Sequence, residues 1–508
     1  MYFNSLIITI VCTPNIFNSD CNLDVAAYID TKLDDPLSRR DDIDYVCEKP
    51  YFLVGNFWNV FSGKRQIGKH LGDLYRRFDG PYFGIYIWGK PYLVIRSPDI
   101  IKNITIRDFN NFDDRTFACD KKADDMSGNS LFIIRNPDWR NIRNKLSGIF
   151  TSGKIKSMYP LMVSNARQMQ RYLLKYDKEI LDMKEVSGKY MTDLVASCFF
   201  GIDSNSFDEQ EESVFRIFCR KMLTIDFFQS FRLFSYFFVP KFVYLFKLKL
   251  LDTSYFRQIF LETLSEREKS GVKRNDLVDL LIHVRDMFSD ENKNGTQFDT
   301  TCMVAQAITF FTAGFETTSN LVALALYEMS LHQYWQDKVR KEIFEAFSDD
   351  DSHISFEKLQ QLKYLDMVLA ETLRRYPFGP FLNRNCKADY IIEETGLKIE
   401  KGTPILIPID GLHFDPHYYT DPEKFDPGRF EDGVKGYTNS CVYMPFGSGP
   451  RNCIGDRFGQ ISAKVGLVHF LKKYKVEKCH LTQDPLVLDA KSPFMTPVNG
   501  LHLRIETI

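Results

Sequence analysis

Apolar residues recur every three to four positions along most of the chain, and this spacing predicts a mainly helical protein. The segments that show it are 139–150, 157–175, 184–200, 253–270, 299–331, 333–347, 356–376 and 457–474. Strict alternation over 82–97, on both sides of Gly89-Lys90, predicts a β-hairpin, and shorter strand-like pieces occur around 381–410 and 485–507. The pattern therefore predicts an α+β fold, mainly α with a small β-sheet portion.

The chain is predicted to form one large domain over residues 49–508, because no repeat period and no Gly/Ser-rich or Pro-rich linker divides it. Residues 1–48 are rich in Asp and turn formers after one short apolar run, and we expect them to form a flexible leader. That run, Leu6 to Cys12, is too short for a spanning helix and lacks the basic flank of a signal peptide. Either the protein meets a membrane by another segment, or the sequence does not begin at its natural start.

Composition excludes several classes of protein. Charged residues make up 26% and hydrophobic residues 44% of 508, which fits neither a disordered chain nor one with many membrane spans. The 65 Lys and Arg nearly balance 67 Asp and Glu, so no overall positive field favours nucleic acid, and none is expected as a partner. The 44 Phe residues suggest broad apolar walls around a pocket.

An aromatic segment stands out at Phe227 to Phe256, where twelve aromatic residues are mixed with Lys and Arg. Pro240 divides the segment, so we predict two amphipathic helices and not one span. Two interpretations remain open. The segment either packs in the core, or it forms a membrane-facing roof over an apolar pocket.

One of the eleven cysteines lies in a distinctive loop. Residues 445–455 read PFGSGPRNCIG just before a helical segment, with Phe446, Gly449, Arg451, Cys453 and Gly455 at offsets 0, 3, 5, 7 and 9. The glycines allow tight turns and leave room for a flat partner, and a helix N-terminus stabilises a thiolate. We therefore expect the Cys453 sulfur to stay anionic and Arg451 to meet a carboxylate of that partner.

This loop resembles the haem-binding loop of the cytochrome P450 family, whose pattern is F-x-x-G-x-R-x-C-x-G. The resemblance implies that haem b (iron protoporphyrin IX) is the cofactor, that Cys453 ligates its iron, and that Phe446 and Arg451 contact it. Further segments agree in order and spacing, so that the resemblance covers roughly residues 49 to 508. It is closest to the insect microsomal, xenobiotic-metabolising branch.

A second segment, FTAGFETTSN at 311–320, lies within the longest helical pattern. Phe310, Ala313 and Thr317 share one face of that helix, and Gly314 allows a local bulge beside Thr317. The resemblance implies that Glu316 and Thr317 are catalytic and deliver protons for the activation of dioxygen. Alternatively, the Thr317 hydroxyl bonds back to its own helix and Glu316 is solvated.

The resemblance implies roles for three further sets of residues. Glu371 and Arg374, with Arg429, would form a buried trio that stabilises the fold, although such a pair is usually a surface pair. Trp139 and Arg143, four residues apart on one helix face, would hold a haem propionate, and so would Arg384. Guanidinium groups suit that task because they bind carboxylates in a bidentate manner and keep their charge.

The implied activity is that of a haem-thiolate monooxygenase, which inserts one oxygen atom from O2 into lipophilic small molecules, whether xenobiotics or endogenous lipids and hormones. Electrons would come from NADPH through a separate NADPH–cytochrome P450 reductase, because no Gly-rich dinucleotide loop is present, and cytochrome b5 is a second candidate donor. The stretch 135–156 carries six basic residues against one Asp and would dock that partner. A thiolate-haem isomerase or dehydratase of peroxides, and a non-enzymatic haem-binding protein, are the alternatives.

The expected location is the cytosolic face of the endoplasmic reticulum membrane, with peripheral or weak anchoring. Asn103 and Asn294 lie in glycosylation motifs, and we predict that both stay unmodified because the domain would face the cytosol. Substrate walls are expected from aromatic residues, namely Phe117, the 227–246 segment, Phe310, Phe381 and Phe494.

Overall fold

The structure is a computed structural model that describes residues 50–51, 54–224, 226–290, 298–347, 354–492 and 494–508. The leader predicted over 1–48 and the Asn294 motif lie outside the described residues. The division into a leader and a catalytic domain at residue 49 stays a prediction.

Helices dominate the described chain, as the apolar spacing predicts. In chain order they are α1 Trp58–Phe61, α2 Ile67–Arg77, α3 Pro98–Lys102, α4 Asp125–Asn129, α5 Asp138–Ser147, α6 Ser152–Leu173, α7 Met183–Val195, α8 Val214–Leu223, α9 Phe227–Phe238, α10 Pro240–Phe246, α11 Ser254–Ser270, α12 Leu277–Asp290, α13 Thr300–Leu331, α14 Gln333–Ala346, α15 Phe356–Gln360, α16 Lys363–Arg375, α17 Ile409–His413, α18 Lys435–Asn439 and α19 Asp456–Leu471.

The strands form small sheets at the margins of the helical body. They are β1 Tyr82–Ile87, β2 Lys90–Ile95, β3 Ile180–Asp182, β4 Phe381–Asn385, β5 Tyr390–Ile391, β6 Lys398–Ile399, β7 Pro404–Pro408, β8 Tyr474–Glu477 and β9 His502–Thr507. The largest sheet has the order β1-β2-β7-β4, in which only β2 and β7 run parallel. The predicted α+β class is confirmed.

Two predicted boundaries need correction. The hairpin turns at Trp88-Gly89, one residue earlier than Gly89-Lys90, and both turn residues have positive φ (53° and 69°), as a tight primed turn requires. The segment 356–376 is not one helix but two, α15 and α16, which are separated at Gln361-Leu362. The apolar spacing continues across this break and therefore does not predict it.

Helix α13 is the central element of the core. It packs against α7, α19, α4 and α16, and apolar side chains on all its sides are buried. A helix that is apolar all round is stable only when it is enclosed, and this explains its place inside the protein. The middle of α13 differs, because Ala313 is exposed although neighbours such as Phe311 and Phe315 are buried. This side of the helix therefore faces an interior cavity.

The aromatic segment forms two helices, α9 and α10, divided at Pro240 as predicted. Packing in the core holds for one of its faces, whereas the membrane-facing roof stays a prediction. Phe237 and Phe238 are buried in the core, whereas Leu245 is 72% and Phe246 48% exposed. The ring of Trp88, at the tip of the hairpin, packs against this segment. Among the described helices, none combines the length and the apolar character that crossing a membrane requires.

Candidate active site

The loop that carries Cys453 is closed by its own backbone. The Cys453 amide donates to the Phe446 carbonyl at 2.8 Å, and Gly447 and Gly449 both adopt positive φ. Gly449 also approaches the Thr105 backbone so closely that a Cβ would lie 1.8 Å from the Thr105 carbonyl oxygen. Only glycine fits there, which explains this glycine of the motif in physical terms.

The Cys453 side chain is the exposed one among the eight cysteines that the structure describes, yet it lies deep in the protein. Burial raises the pKa of this thiol to about 11, although the Gly455 amide, Arg143 and Arg115 act in the opposite direction. Desolvation therefore opposes the effect of the helix N-terminus on this sulfur, and the expectation that the sulfur is anionic stays a prediction. A bound metal cation would favour the thiolate.

The predicted trio of Glu371, Arg374 and Arg429 is confirmed as a buried cluster. Arg374 donates from Nε and Nη2 to the two Glu371 carboxylate oxygens at 2.7 and 2.9 Å, and Arg429 Nε lies 3.4 Å from Oε1. The remaining Arg374 donors reach the carbonyls of His413 and Pro422, both at 2.7 Å. Glu371 and Arg374 are completely buried, and the Arg374 donors find acceptors, whereas Arg429 Nε makes no hydrogen bond to the described residues.

His413 joins this trio to the Cys453 loop. Its Nδ1 lies 3.0 Å from the Arg374 carbonyl, and its Nε2 accepts the Met444 amide at 3.0 Å. An imidazole with a carbonyl on one nitrogen and an amide donor on the other must be neutral, protonated at Nδ1. Burial agrees, since it lowers the pKa of His413 to about 3.

A second cluster of arginines surrounds the cavity side of the loop, and its charges are not balanced. It consists of Arg115, Arg143, Arg384 and Arg451. Burial lowers the pKa of Arg451 to about 9 and that of Arg384 to about 10, and Arg384 adds repulsion at Arg451. Nη2 of Arg451 lies 3.2 Å from Asp114 Oδ1, the one ion pair that these four side chains form with the described residues.

Two of these buried guanidinium groups have N–H donors to spare. Arg451 donates from Nε to the Asp113 carbonyl at 2.6 Å, but its Nη1 has no acceptor among the described residues. Arg384 donates from Nη1 to the Asn383 carbonyl at 2.9 Å, but its Nε likewise has no acceptor in this part of the chain. Buried donors of this kind are rare and call for an anionic partner.

Trp139 and Arg143, which were predicted to act as a pair, contact different partners in the structure. Arg143 donates to Asn452 Oδ1 at 2.9 Å, beside Cys453. Trp139 is buried, and the Arg451 guanidinium stacks on its ring at 4.2 Å, so that the ring orients Arg451. Arg115 was missed by the sequence analysis, because a single Arg in a loop carries no motif. Only the fold brings it beside the other three.

Haem b fits this arrangement on the observations above. An accessible sulfur faces the cavity, and guanidinium groups with unused donors lie beside it, as the two propionates of haem require. Ala313 of α13 is exposed and carries a small side chain, which suits a site for a flat ring. The predicted ligand Cys453 and the predicted contacts Arg143, Arg384 and Arg451 thus lie together, with Phe446 half-buried at the start of the same loop.

The α13 residues predicted to be catalytic lie on the cavity wall, but without the bulge that Gly314 could allow. Helix α13 is continuous, and the Thr317 hydroxyl donates to the Ala313 carbonyl at 2.6 Å. The Glu316 carboxylate is not simply solvated. It accepts from Asn320 Nδ2 at 3.2 Å and lies 3.9 Å from Lys184 Nζ on α7. Lys184 and Asn320 were missed, since neither type is diagnostic by itself.

The aromatic residues predicted to line the pocket pack in pairs. Phe117 contacts Phe237 of α9 with ring centroids 4.8 Å apart, and Phe494 stacks on Phe378 at 4.2 Å. Phe310 is buried against Phe150, which places it in the core rather than on the cavity wall. The prediction for Phe310 as a wall residue is therefore not supported by its packing.

Comparison with known proteins agrees with this geometry. The family model described as Cytochrome P450 matches residues 47–504. The chain is 36% identical to Cytochrome P450 6k1 of Blattella germanica over 479 residues, which cover 90% of each chain. It is 35% identical to Cytochrome P450 6j1 of the same insect over 92% of each chain, and 33% identical to Probable cytochrome P450 6g2 of Drosophila melanogaster over 90% of this chain and 92% of that one.

These matches span nearly the whole described domain, and the relatives are insect proteins, as the resemblance predicts. The peroxide isomerase or dehydratase and the non-enzymatic alternative are not favoured by them. The cofactor is haem, and the reaction class is that of a monooxygenase. The chain belongs to the cytochrome P450 family.

Proposed function

We propose that this protein oxidises lipophilic xenobiotics or endogenous lipids at a haem ligated by Cys453, with electrons from NADPH delivered by NADPH–cytochrome P450 reductase. One observation carries the proposal. The Cys453 sulfur is accessible, Arg143 and Arg115 act on it electrostatically, and Arg384 and Arg451, each with an unused donor, lie at the same loop, where Arg384 Nη2 is 3.5 Å from the Ser448 carbonyl. A cavity that offers one sulfur and unpaired guanidinium groups suits haem better than any other common cofactor.

The polypeptide's own part in the reaction begins with holding the cofactor. Cys453 would ligate the iron, and Arg115, Arg143, Arg384 and Arg451 would bind the propionates, with Trp139 fixing the Arg451 guanidinium. When bound, haem supplies the two-electron activation of dioxygen and the insertion of one oxygen atom. The closed loop backbone positions the sulfur, since the Cys453 amide donates to the Phe446 carbonyl and the Gly455 amide donates to the sulfur.

Glu316 and Thr317 of α13 would supply protons for the activation of dioxygen. The Thr317 hydroxyl donates its proton to the Ala313 carbonyl, so its oxygen lone pairs can accept another hydrogen bond from the cavity. Glu316 is tied to Lys184, which is partly exposed on α7. A carboxylate that reaches from a partly exposed amine to the cavity wall suits proton transfer from solvent.

A lipophilic substrate fits the walls of the pocket. Phe117, with Phe237 of the roof helices α9 and α10, and the stacked Phe378 and Phe494 present aromatic surface with few polar groups. Such walls bind apolar molecules by burial of surface, without selecting one pattern of hydrogen bonds. This supports a broad range of apolar substrates and the xenobiotic branch of the family.

The electron donor would dock on the Cys453 side. The basic residues Arg140 and Lys154 are exposed there, and Arg457 of α19 donates to Ser152 Oγ at 3.1 Å, so this surface adjoins the loop. The stretch 135–156 keeps its excess of positive charge in the fold and complements an acidic flavoprotein such as the reductase, or cytochrome b5.

The roof helices would hold the protein to the cytosolic face of the endoplasmic reticulum. Exposed Leu245 and Phe246 stand next to exposed Lys241, Lys247 and Lys249, a pattern typical of a segment that enters the interface of a membrane with anionic lipids. Fractionation tests this assignment, because full recovery of the expressed chain in the soluble fraction would contradict it.

The ferrous–carbon monoxide spectrum of the purified protein tests the haem ligand. We expect a red-shifted band typical of thiolate ligation in the wild type and its loss in Cys453→Ser, because a serine oxygen is a poor substitute for the sulfur. Cys441→Ser is the matched control, since Cys441 is buried close to the same loop with its Sγ 3.6 Å from Ser448 Oγ. A band that survives Cys453→Ser would overturn the proposal.

The role of Thr317 is tested by Thr317→Ala, with oxidation of an ethoxycoumarin as the assay. Haem binding should be unchanged, while NADPH consumption is uncoupled from product because proton supply is impaired. Thr312→Ala is the control, because the Thr312 hydroxyl makes the same kind of bond to its own helix, to the Ile308 carbonyl at 3.0 Å. Equal coupling in both variants would remove Thr317 from the mechanism.

A further inference from the structure

A small cavity lies between α13 and α16, next to Thr317. Its volume is about 20 Å³, and about 10–15 Å³ suffices for one water molecule. Thr317 and Asn320 line it on one side, and Thr372 and Tyr376 on the other, with apolar residues between them. The cavity is thus a mixed polar and apolar space that adjoins the residue proposed to supply protons.

The Asn320 side chain has one satisfied and one unsatisfied polar atom. Asn320 is only 2% exposed, and its Nδ2 donates to Glu316 Oε1 at 3.2 Å. Because an ionised carboxylate only accepts hydrogen bonds, this contact fixes which end of the amide is the nitrogen. The other end, Oδ1, accepts no hydrogen bond from the described residues. A buried amide oxygen without a donor costs stability unless something in the site satisfies it.

The hydrogen bonds of the neighbouring threonines determine which group can donate to Asn320 Oδ1. The Thr317 hydroxyl gives its proton to Ala313, and the Thr372 hydroxyl gives its proton to the Val368 carbonyl at 2.7 Å. The Asn320 and Thr317 oxygens are therefore both left as acceptors. A group that donates two hydrogen bonds from a space of this size is a water molecule.

We propose that Asn320 is a positioning residue for the oxygen chemistry, whose amide nitrogen fixes the Glu316 carboxylate and whose amide oxygen holds one water molecule beside Thr317. The inference rests on the proposed roles of Glu316 and Thr317 and extends them. One side chain then sets the orientation of the acid and places a donor next to the hydroxyl. The water would be the group from which the Thr317 oxygen regains a proton.

Asn320→Leu tests the inference in the full-length, haem-loaded protein, because leucine has similar volume and no polar atom. Leu324→Ile is the matched control, since Leu324 lines the same cavity one turn further along α13. We expect normal haem content, melting temperature and KM for an ethoxycoumarin in both variants. In Asn320→Leu alone, product formed per NADPH should fall about fivefold, the factor for one lost hydrogen bond. Asn320→Ser, which keeps a polar atom, should recover part of the coupling.

A crystal structure of the haem-loaded wild type supplies a readout that does not depend on turnover. Water density within hydrogen-bond distance of Asn320 Oδ1, lost in Asn320→Leu, is the expected result. A dry cavity in the wild type, or equal coupling in Asn320→Leu and Leu324→Ile, would overturn the inference. If Thr317→Ala remains fully coupled, the role of Thr317 fails instead, and the density at Asn320 still decides whether the water site exists.

Discussion

Two clusters of buried arginines lie on either side of the Cys453 loop, and they differ in what balances their charge. In the first, Arg374 finds the Glu371 carboxylate and two backbone carbonyls. In the second, Arg384 and Arg451 are buried equally well, but each keeps a donor without an acceptor among the described residues. An arginine whose donors have acceptors within the protein therefore contributes to the fold, whereas an arginine with an unused donor is suited to bind a ligand.

The difference has a thermodynamic consequence. The Glu371–Arg374 cluster stabilises the polypeptide whether or not haem is bound, because removal of either charge leaves the other buried and unpaired. The second cluster places like charges together, and Arg143 and Arg384 both add repulsion at Arg451. It costs stability in the polypeptide alone, and bound carboxylates would offset that cost. Substitutions in the two clusters should therefore act on different states of the protein.

The largest effect is expected from Glu371→Gln. Loss of this carboxylate leaves the buried Arg374 charge unpaired and should lower the free energy of unfolding by about 3–5 kcal/mol, with and without haem. Chemical denaturation monitored by circular dichroism measures it. Glu345→Gln, at the exposed ion pair with Lys341, is the control and should change little. Equal stability of the two variants would show that the trio does not hold the fold.

Arg384→Met should weaken haem binding without lowering the stability of the polypeptide alone. Methionine matches the unbranched apolar part of the arginine side chain, so the polypeptide without haem should keep or gain stability as a repelling charge is removed. Haem affinity should fall about 10-fold or more, because hydrogen bonds to charged groups contribute about 1.5–3 kcal/mol. Haem transfer to apomyoglobin measures the affinity. A variant that destabilises both states alike would place Arg384 with the structural cluster.

A smaller and pH-dependent effect is expected at His413. Burial lowers the pKa of His413 to about 3 in the folded protein. Below about pH 6.5 this imidazole is therefore protonated in the unfolded chain but stays neutral in the folded chain. Stability should therefore fall as the pH drops from 6.5 toward 3, by about 1.4 kcal/mol per pH unit from this group. His413→Gln should be less stable at pH 7 but show a shallower fall. His417→Gln, at an exposed position nearby, is the control.

The sequence predicted the long elements and the motif residues well, because both signals are local. Helix α13 was expected over 299–331 and spans Thr300–Leu331, and the break at Pro240 follows from the missing amide of proline. Cys453, Arg451, Arg143 and Arg384 were found since their spacing or context carries information. Their positions around one cavity agree with the prediction, while their roles remain proposals.

What the sequence could not predict depends on contacts between distant segments. Arg115 joins the cluster through a loop, and Lys184 meets Glu316 across two helices, so no spacing rule connects them. The desolvation of Cys453 could not be predicted for a related reason. The helix N-terminus is visible in the sequence, whereas the burial that raises the thiol pKa arises from the whole fold.

The hairpin tip offers a practical consequence. The Trp88 ring lies 6.3 Å from Phe234 and 5.8 Å from Phe242, one in each roof helix, and the chain has four tryptophans in all. Trp139, by contrast, stacks on Arg451 in the haem pocket, where energy transfer to bound haem would quench its emission. Trp88 is therefore an intrinsic fluorophore for the roof. A blue shift of its emission on addition of anionic vesicles would report, without any label, the moment when α9 and α10 meet lipid.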